Sequence, residues 1–271
     1  MRHRVLLVPT LAIVIAGAHG CDSTHIGNPP EQPDINPLAT ASIIVTALAA
    51  ESGQGLHVPT REAGIDTAWV VLSDIQLTPA DDCTDEAQID IEGPIVVDLL
   101  SGTTLPSVPM LSRPAGVYCR MKFKLQRKPN ATLPVGSPPE LETLSVWVEG
   151  HRSDGVPFVL EEDKPNNIVL DSDEGRLELL EGEQQLVLAF DLDAWLAPEL
   201  LDAIPDDGPI HINATEQREL YLGFQKQLRL SPSLFRDGNG DGRLDATEEA
   251  SPLAIGVDEA PSDVGGRGSQ P

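Results

Sequence analysis

Residues Val117 to Leu125 constrain the fold of this chain more tightly than any other stretch. Val117, Cys119, Met121, Phe123 and Leu125 alternate with Tyr118, Arg120, Lys122 and Lys124. Successive side chains of a strand point to opposite sides, so a period of two describes a half-buried strand with one apolar and one mainly basic face. Further candidate strands lie at Ala41–Leu48, Thr67–Leu77, Pro94–Leu99, Leu144–Gly150, Pro157–Glu161, Asn167–Leu170, Arg176–Leu180 and Gln184–Asp191. Trp69-Val70-Val71-Leu72 is densely apolar and continues into the alternating Ile75 and Leu77, so Trp69 reads as a core residue. Val146 and Val148 alternate with Ser145, Trp147 and Glu149, and Asp154-Gly155 then reads as a hairpin turn. Many short strands separated by Gly, Pro and Asp predict a mainly β fold. The expectation is an immunoglobulin-like or transthyretin-like β-sandwich over residues 39–196.

Leu125 to Glu140 holds four prolines and little apolar pattern, which predicts a long exposed loop. Beyond Leu192 the texture becomes helical. Trp195 reads as core, and a short helix is expected over Pro198 to Ala203. Leu220, Tyr221, Phe224 and Leu228 recur at helical spacing between Thr215 and Leu230, with Asn213 and Glu216 spaced like a capping box. Residues 197–256 thus form a C-terminal helical segment, and residues 257–271 have the composition of a frayed tail.

That segment carries the clearest chemical motif. Asp237 to Glu248 reads D-G-N-G-D-G-R-L-D-A-T-E and fits the calcium-loop template D-x-[DN]-x-[DN]-G-x5-E. Calcium is a hard cation that takes several oxygen ligands in a flexible shell. Asp237, Asn239 and Asp241 would offer side-chain oxygens, and Arg243 only its backbone carbonyl. Asp245 would bind directly or through water, and Glu248 would close the shell with both oxygens. Gly242 supplies the sharp turn, and Leu244 points away from the ion into packing. The loop resembles those of EF-hands and dockerins. Pro232 stands where a long entering helix would run and Pro252 follows Glu248 closely, so long flanking helices are not expected. The chain has no second copy of the loop, which points to a static staple rather than a paired sensor. The expected affinity is that of extracellular modules, about 10⁻⁴ to 10⁻³ M.

The N-terminus reads as an export signal over residues 1–20. Arg2 and Arg4 precede an apolar run from Val5 to Gly17, too short to span a bilayer, which needs about 20 residues. Ala18-His19-Gly20 then leads into Cys21 and resembles a bacterial lipoprotein cleavage site. The resemblance implies lipid attachment to the Cys21 sulfur and a lipid-anchored location in the bacterial cell envelope. Residues 21–38, rich in Pro, Asn and Asp, read as a flexible tether. With Cys21 lipidated, Cys83 and Cys119 are left, and in an oxidising compartment a bridge between them is the default; a catalytic cysteine is the rival reading.

The chain has 18 Lys and Arg against 43 Asp and Glu, a net charge of −25. That balance argues against nucleic-acid binding, which needs a basic footprint, and against electrostatic adhesion to anionic lipid.

The order Trp69–Pro79, then Pro94 to Gly102 (P-I-V-V-D-L-L-S-G), then Pro114 to Met121 (P-A-G-V-Y-C-R-M) resembles uncharacterised bacterial lipoproteins with a V-D-L-L … P-A-G-x-Y pattern. The likeness spans roughly residues 40–195. It implies a β-sandwich envelope domain and brings no catalytic residues with it.

Enzyme signatures are lacking in the sequence: it has no G-x-S-x-G elbow, H-E-x-x-H helix or phosphate-binding glycine loop. His25, His57, His151 and His211 are scattered. Asp191 and Asp193 would share one face of a strand, the spacing of a hydrolase carboxylate pair, but two solvated residues at a strand end are the plainer reading. A binding module would need exposed aromatic platforms, and Trp147 is the candidate ligand contact for a glycan or an envelope protein. The sequence therefore predicts a lipid-anchored, calcium-binding envelope protein with a structural or adhesive, non-enzymatic role. A glycan- or protein-binding module is the alternative, and a carboxylate hydrolase is more remote.

Overall fold

Strands form where the sequence alternates, and a computed structural model describes them over residues 37–48, 64–81, 83, 89–128, 131–152, 154–172, 176–205 and 208–258. The export signal, Cys21, nearly all of the tether, His25, His57 and the tail beyond residue 258 lie outside the described residues. The strands are β1 (Leu38–Ala47), β2 (Gly64–Pro79), β3 (Ile89–Asp98), β4 (Thr103–Leu105), β5 (Leu111–Pro114), β6 (Gly116–Leu125), β7 (Val146–His151), β8 (Pro157–Glu162), β9 (Asn166–Asp171), β10 (Glu178–Leu179), β11 (Gly182–Phe190), β12 (Ile210–Ile212), β13 (Pro232–Asp237) and β14 (Ala254–Val257). The helices are α1 (Pro198–Asp202), α2 (Arg218–Leu230) and α3 (Ala246–Glu249), with 3-10 turns at Pro139–Glu142 and Leu192–Ala194.

Among the described residues all these strands join one mixed sheet in the order β12-β8-β7-β2-β6-β9-β14-β13-β11-β1-β5, with β3, β4 and β10 off that path. The β1–β11 and β12–β8 pairs are parallel and the others antiparallel. The 16-residue β2 organises the bend. One of its edges pairs with β3, while the other passes from β7 to β6 at Val71. There the Val71 N–H donates to Ser145 O (2.9 Å) and its carbonyl accepts from Gln126 N–H (3.0 Å). The register shifts just beyond, between Leu72 and Asp74, and such a bulge bends a strand.

The sheet curls far enough to pack on itself. β6 and β11 are separated along it by β9, β14 and β13, yet Phe123 and Phe190 meet edge-to-face at 5.8 Å. Phe190 meets Trp195 at 5.8 Å and Trp195 meets Phe224 of α2 at 5.4 Å, so one aromatic chain runs from β6 to the helix. Ala47 N–H donates to Leu99 O (2.8 Å), which ties the end of β1 to the turn after β3. The fold is mainly β, a curled sandwich-like sheet around a main apolar core, with two smaller apolar clusters and a small helical segment, as the alternation predicts.

Polar side chains fix the helices to this sheet. Glu162 is fully buried at the end of β8. Its carboxylate accepts from Tyr221 Oη (2.9 Å), Gln225 Nε2 (2.9 Å) and the Lys164 N–H (2.8 Å), which locks α2 against β8. Arg152 is buried in the β7–β8 hairpin, where its Nη1 donates to the Leu201 carbonyl of α1 (3.4 Å) and to the Ile204 carbonyl just beyond the helix (2.5 Å). Its guanidinium also pairs with Asp154 and holds that carboxyl below the usual range.

Both sequence motifs of the lipoprotein resemblance build turns. Asp98 accepts from Leu100 N–H (3.1 Å) and Ser101 Oγ (2.7 Å), and Gly102 at φ +68° completes the β3–β4 turn. Tyr118 Oη donates back to Pro114 O (2.7 Å), bracing the corner between β5 and β6.

Several expectations change. Period two holds in β6 from Met121 to Leu125 but reverses before it: Val117 is 42% exposed and Tyr118 is 3% exposed. The register shift between Thr78 and Pro79, opposite Arg120 and Tyr118, is the cause. Asn213 and Glu216 do not cap α2, which starts at Arg218 behind Gln217. Asn213 instead closes its own turn, accepting from Thr215 N–H (2.9 Å) and Glu216 N–H (2.9 Å). Residues 197–256 are more than helix and loop, because β12, β13 and β14 belong to the main sheet. Trp69 is not core. It lies half-buried with Leu133, Leu144 and Trp147 in a separate cluster over Val71, Val96 and Leu141. The proline-rich stretch is therefore only partly exposed: Leu133 packs down while Val135 is 99% exposed.

Candidate metal centre

The predicted calcium loop is entered from a strand and left by one helical turn. Asp237 is the last residue of β13, held in register with Gln185 of β11. Asp245 caps α3, accepting from Thr247 N–H (2.8 Å) and Glu248 N–H (3.0 Å), and Glu248 Oε2 returns the bond to Asp245 N–H (2.9 Å).

Between these ends each oxygen ligand of the template turns inward on the backbone. Asp237 accepts from Gly240 N–H (2.6 Å) through Oδ1 and from Gly242 N–H (2.7 Å) through Oδ2. Asn239 Oδ1 accepts from Asp241 N–H (2.9 Å) and Asp241 Oδ1 from Arg243 N–H (2.9 Å). Glu248 Oε1 reaches across the loop to Gly238 N–H (2.7 Å). Gly240 and Gly242 hold φ of +74° and +78°, conformations cheapest without a Cβ. Leu244 packs where the template expects, against Ile44, Val187, Ala189 and Phe235 on the outer side of β1, β11 and β13.

Asp237 has a further property. It is 5% exposed, and among the described residues no Lys, Arg or His pairs with it. A buried carboxylate without a cationic partner is costly, and its two backbone hydrogen bonds leave each oxygen a second lone pair for a cation. The donors at hand are all oxygens, which suits calcium by hardness. Among the described residues no group of three or more His, Cys, Asp or Glu side chains is gathered as a metal cluster. The six template residues share one loop, with their carboxylates engaged on backbone N–H groups.

The other candidates are dispersed. Trp147 lies half-buried opposite Trp69 and Glu161, within the cluster beneath the proline-rich stretch. Asp191 caps the 3-10 turn by accepting from Ala194 N–H (3.3 Å) and Asp193 lies inside that turn, so the shared strand face of a carboxylate pair does not arise. His151 Nδ1 contacts Asp66 Oδ2 (3.0 Å) at the surface, and His211 is exposed on β12. Cys83 and Cys119 form a disulfide with Cα atoms 6.2 Å apart. Sequence reading missed Glu162, because a glutamate at a strand end looks solvated until the helix that covers it is placed.

No family model matches the chain. No curated protein matches it. Among solved structures, MbnP from Methylosinus trichosporium aligns with 66% of this chain and 82% of its own, at 12% identity and a TM-score of 0.32.

Proposed function

We propose that this chain is a lipid-anchored, calcium-binding protein of the bacterial cell envelope, with a structural or adhesive, non-enzymatic role. The buried, cation-free Asp237 at the head of a loop matching the calcium template carries this reading. Asp237, Asn239, Asp241, the Arg243 carbonyl, Asp245 and Glu248 would hold the ion. Calcium would offset most of the loop's negative charge and brace it on the outer side of β1 and β11. The export-signal pattern, Cys21 and the resemblance to bacterial lipoproteins support the location, and the Cys83–Cys119 bridge suits an oxidising compartment.

Calcium at 100 times its Kd should stabilise the chelator-treated protein by about 2.7 kcal/mol, a rise in Tm of roughly 5–10 °C at this size. Differential scanning calorimetry should show that rise in wild type and none in the Asp237→Ala, Glu248→Ala double variant. A calcium-insensitive wild type would end the staple reading. For the anchor, labelled palmitate should enter wild type and not Cys21→Ser; equal incorporation, or none, would remove it.

A further inference from the structure

We propose that the outer face of β2, β6 and β9 is a binding site for a carboxylated saccharide. Two ranks of side chains cross these three strands: Asp74, Lys124 and Asn167 in register, then Gln76, Lys122 and Val169. They line a depression of about 320 Å³. That volume lies at the small end of ligand sites, suited to one or two sugar rings.

The polar groups of this depression are unevenly used. Elsewhere on the face the bases are paired, Arg120 with Asp171 (2.8 Å), and Lys128 with Asp74 (3.1 Å) and Glu92 (2.9 Å). The Lys124 ammonium and the Gln76 and Asn167 amides have no hydrogen bond or ion pair among the described residues. One unmatched cation therefore lies beside one unmatched amide, Asn167, in its own rank and diagonal to the other, Gln76, in the next.

That trio selects the ligand class. An ammonium matches a carboxylate through a charge-assisted hydrogen bond, while each amide both donates and accepts, as a hydroxyl requires. A plain anion, with no donor, would leave the amide carbonyls without partners, and a neutral sugar would leave the Lys124 charge uncompensated. Charge along the chain favours the same place. Residues 111–139 hold six of the 18 Lys and Arg and no Asp or Glu, within a chain of net charge −25. An acidic glycan is thus repelled by most of the surface and admitted here. The site shares no residue with the calcium loop and stands independently of it.

Trigalacturonate titrated calorimetrically into the full chain tests this, with chelator present so that no calcium bridge to Asp237–Glu248 contributes. Wild type should bind it, more weakly as salt rises, and galactotriose at least about tenfold less tightly. Lys124→Glu should weaken binding by about tenfold or more, and Asn167→Ala by several-fold with an unchanged salt dependence. Melting curves matching wild type would show that both variants are folded. Equal affinity in wild type and folded Lys124→Glu, no binding in chelator, or acetate displacing the trisaccharide at matched ionic strength would each overturn the site.

Discussion

Glu162→Ala is expected to lower the free energy of unfolding by about 3–5 kcal/mol, the range of a broken buried polar network. The carboxylate is fully buried, and its loss removes the acceptor shared by Tyr221 Oη, the Gln225 amide and the Lys164 N–H. The buried Tyr221 Oη is left with no acceptor, whereas the half-buried Gln225 and the exposed Lys164 can turn to solvent. Glu162→Gln keeps the volume but presents an N–H₂ where an acceptor is needed, so about 1–2 kcal/mol is expected. Urea unfolding followed by tryptophan fluorescence measures both, and an alanine variant within about 0.5 kcal/mol of wild type would contradict the assignment.

The same cluster sets an alkaline limit. Burial, and then the hydrogen bond to Glu162, push the Tyr221 phenol well above the usual tyrosine range. Burial also raises Tyr118. A phenol with a raised folded pKa contributes stability that is complete below the unfolded value of about 10. Above that pH the unfolded chain releases the proton first, and the contribution is lost as pH rises through the folded pKa. These are the chain's two tyrosines, so folded protein at pH 10 should show little tyrosinate absorbance. In Glu162→Gln the alkaline loss should be shallower, because the charge acting on Tyr221 is gone.

Removing the Cys83–Cys119 bridge is the second large effect. The cysteines are 36 positions apart, and closing a loop of that length restricts the unfolded chain by about 4 kcal/mol in the chain-entropy model. Cys119 lies in β6, paired with both β2 and β9, whereas Cys83 follows the end of β2. The bond therefore fastens the segment after β2 to a strand held on both edges. The Cys83→Ser, Cys119→Ser variant should unfold at lower urea with a steeper m value, since its unfolded state is less compact. Oxidised and reduced wild type with the same midpoint would show that the bridge adds nothing.

What the sequence disclosed follows from the range of the forces involved. Periodicity is local, so Met121, Phe123 and Leu125 announced an inner face before any partner strand was known. Gly242 and Leu244 were equally legible, because a loop template records contacts among near neighbours. Long-range pairing was not. Pro232 argued correctly against an entering helix, but nothing nearby said that residues 232–237 would join β11 as a strand. Tyr118 and Val117 exchanged faces because β6 bulges at Cys119, opposite the end of β2, and that shows only once the two strands are paired. Glu162 and the trio of Gln76, Lys124 and Asn167 acquire meaning only from segments far apart in the chain.

The way the sheet ends has a consequence for crowding. Its path terminates in β12 and β5, strands of three and four residues, and the off-path strands β4 and β10 have three and two. Long, flat open edges template the addition of strands from other molecules, and short ones do not. Copies held side by side on a surface would meet at high local concentration, where edge-to-edge aggregation is the main hazard for a β protein. Stubby margins, with a net charge of −25 keeping neighbours apart, equip this domain to be packed densely without fusing into fibrils.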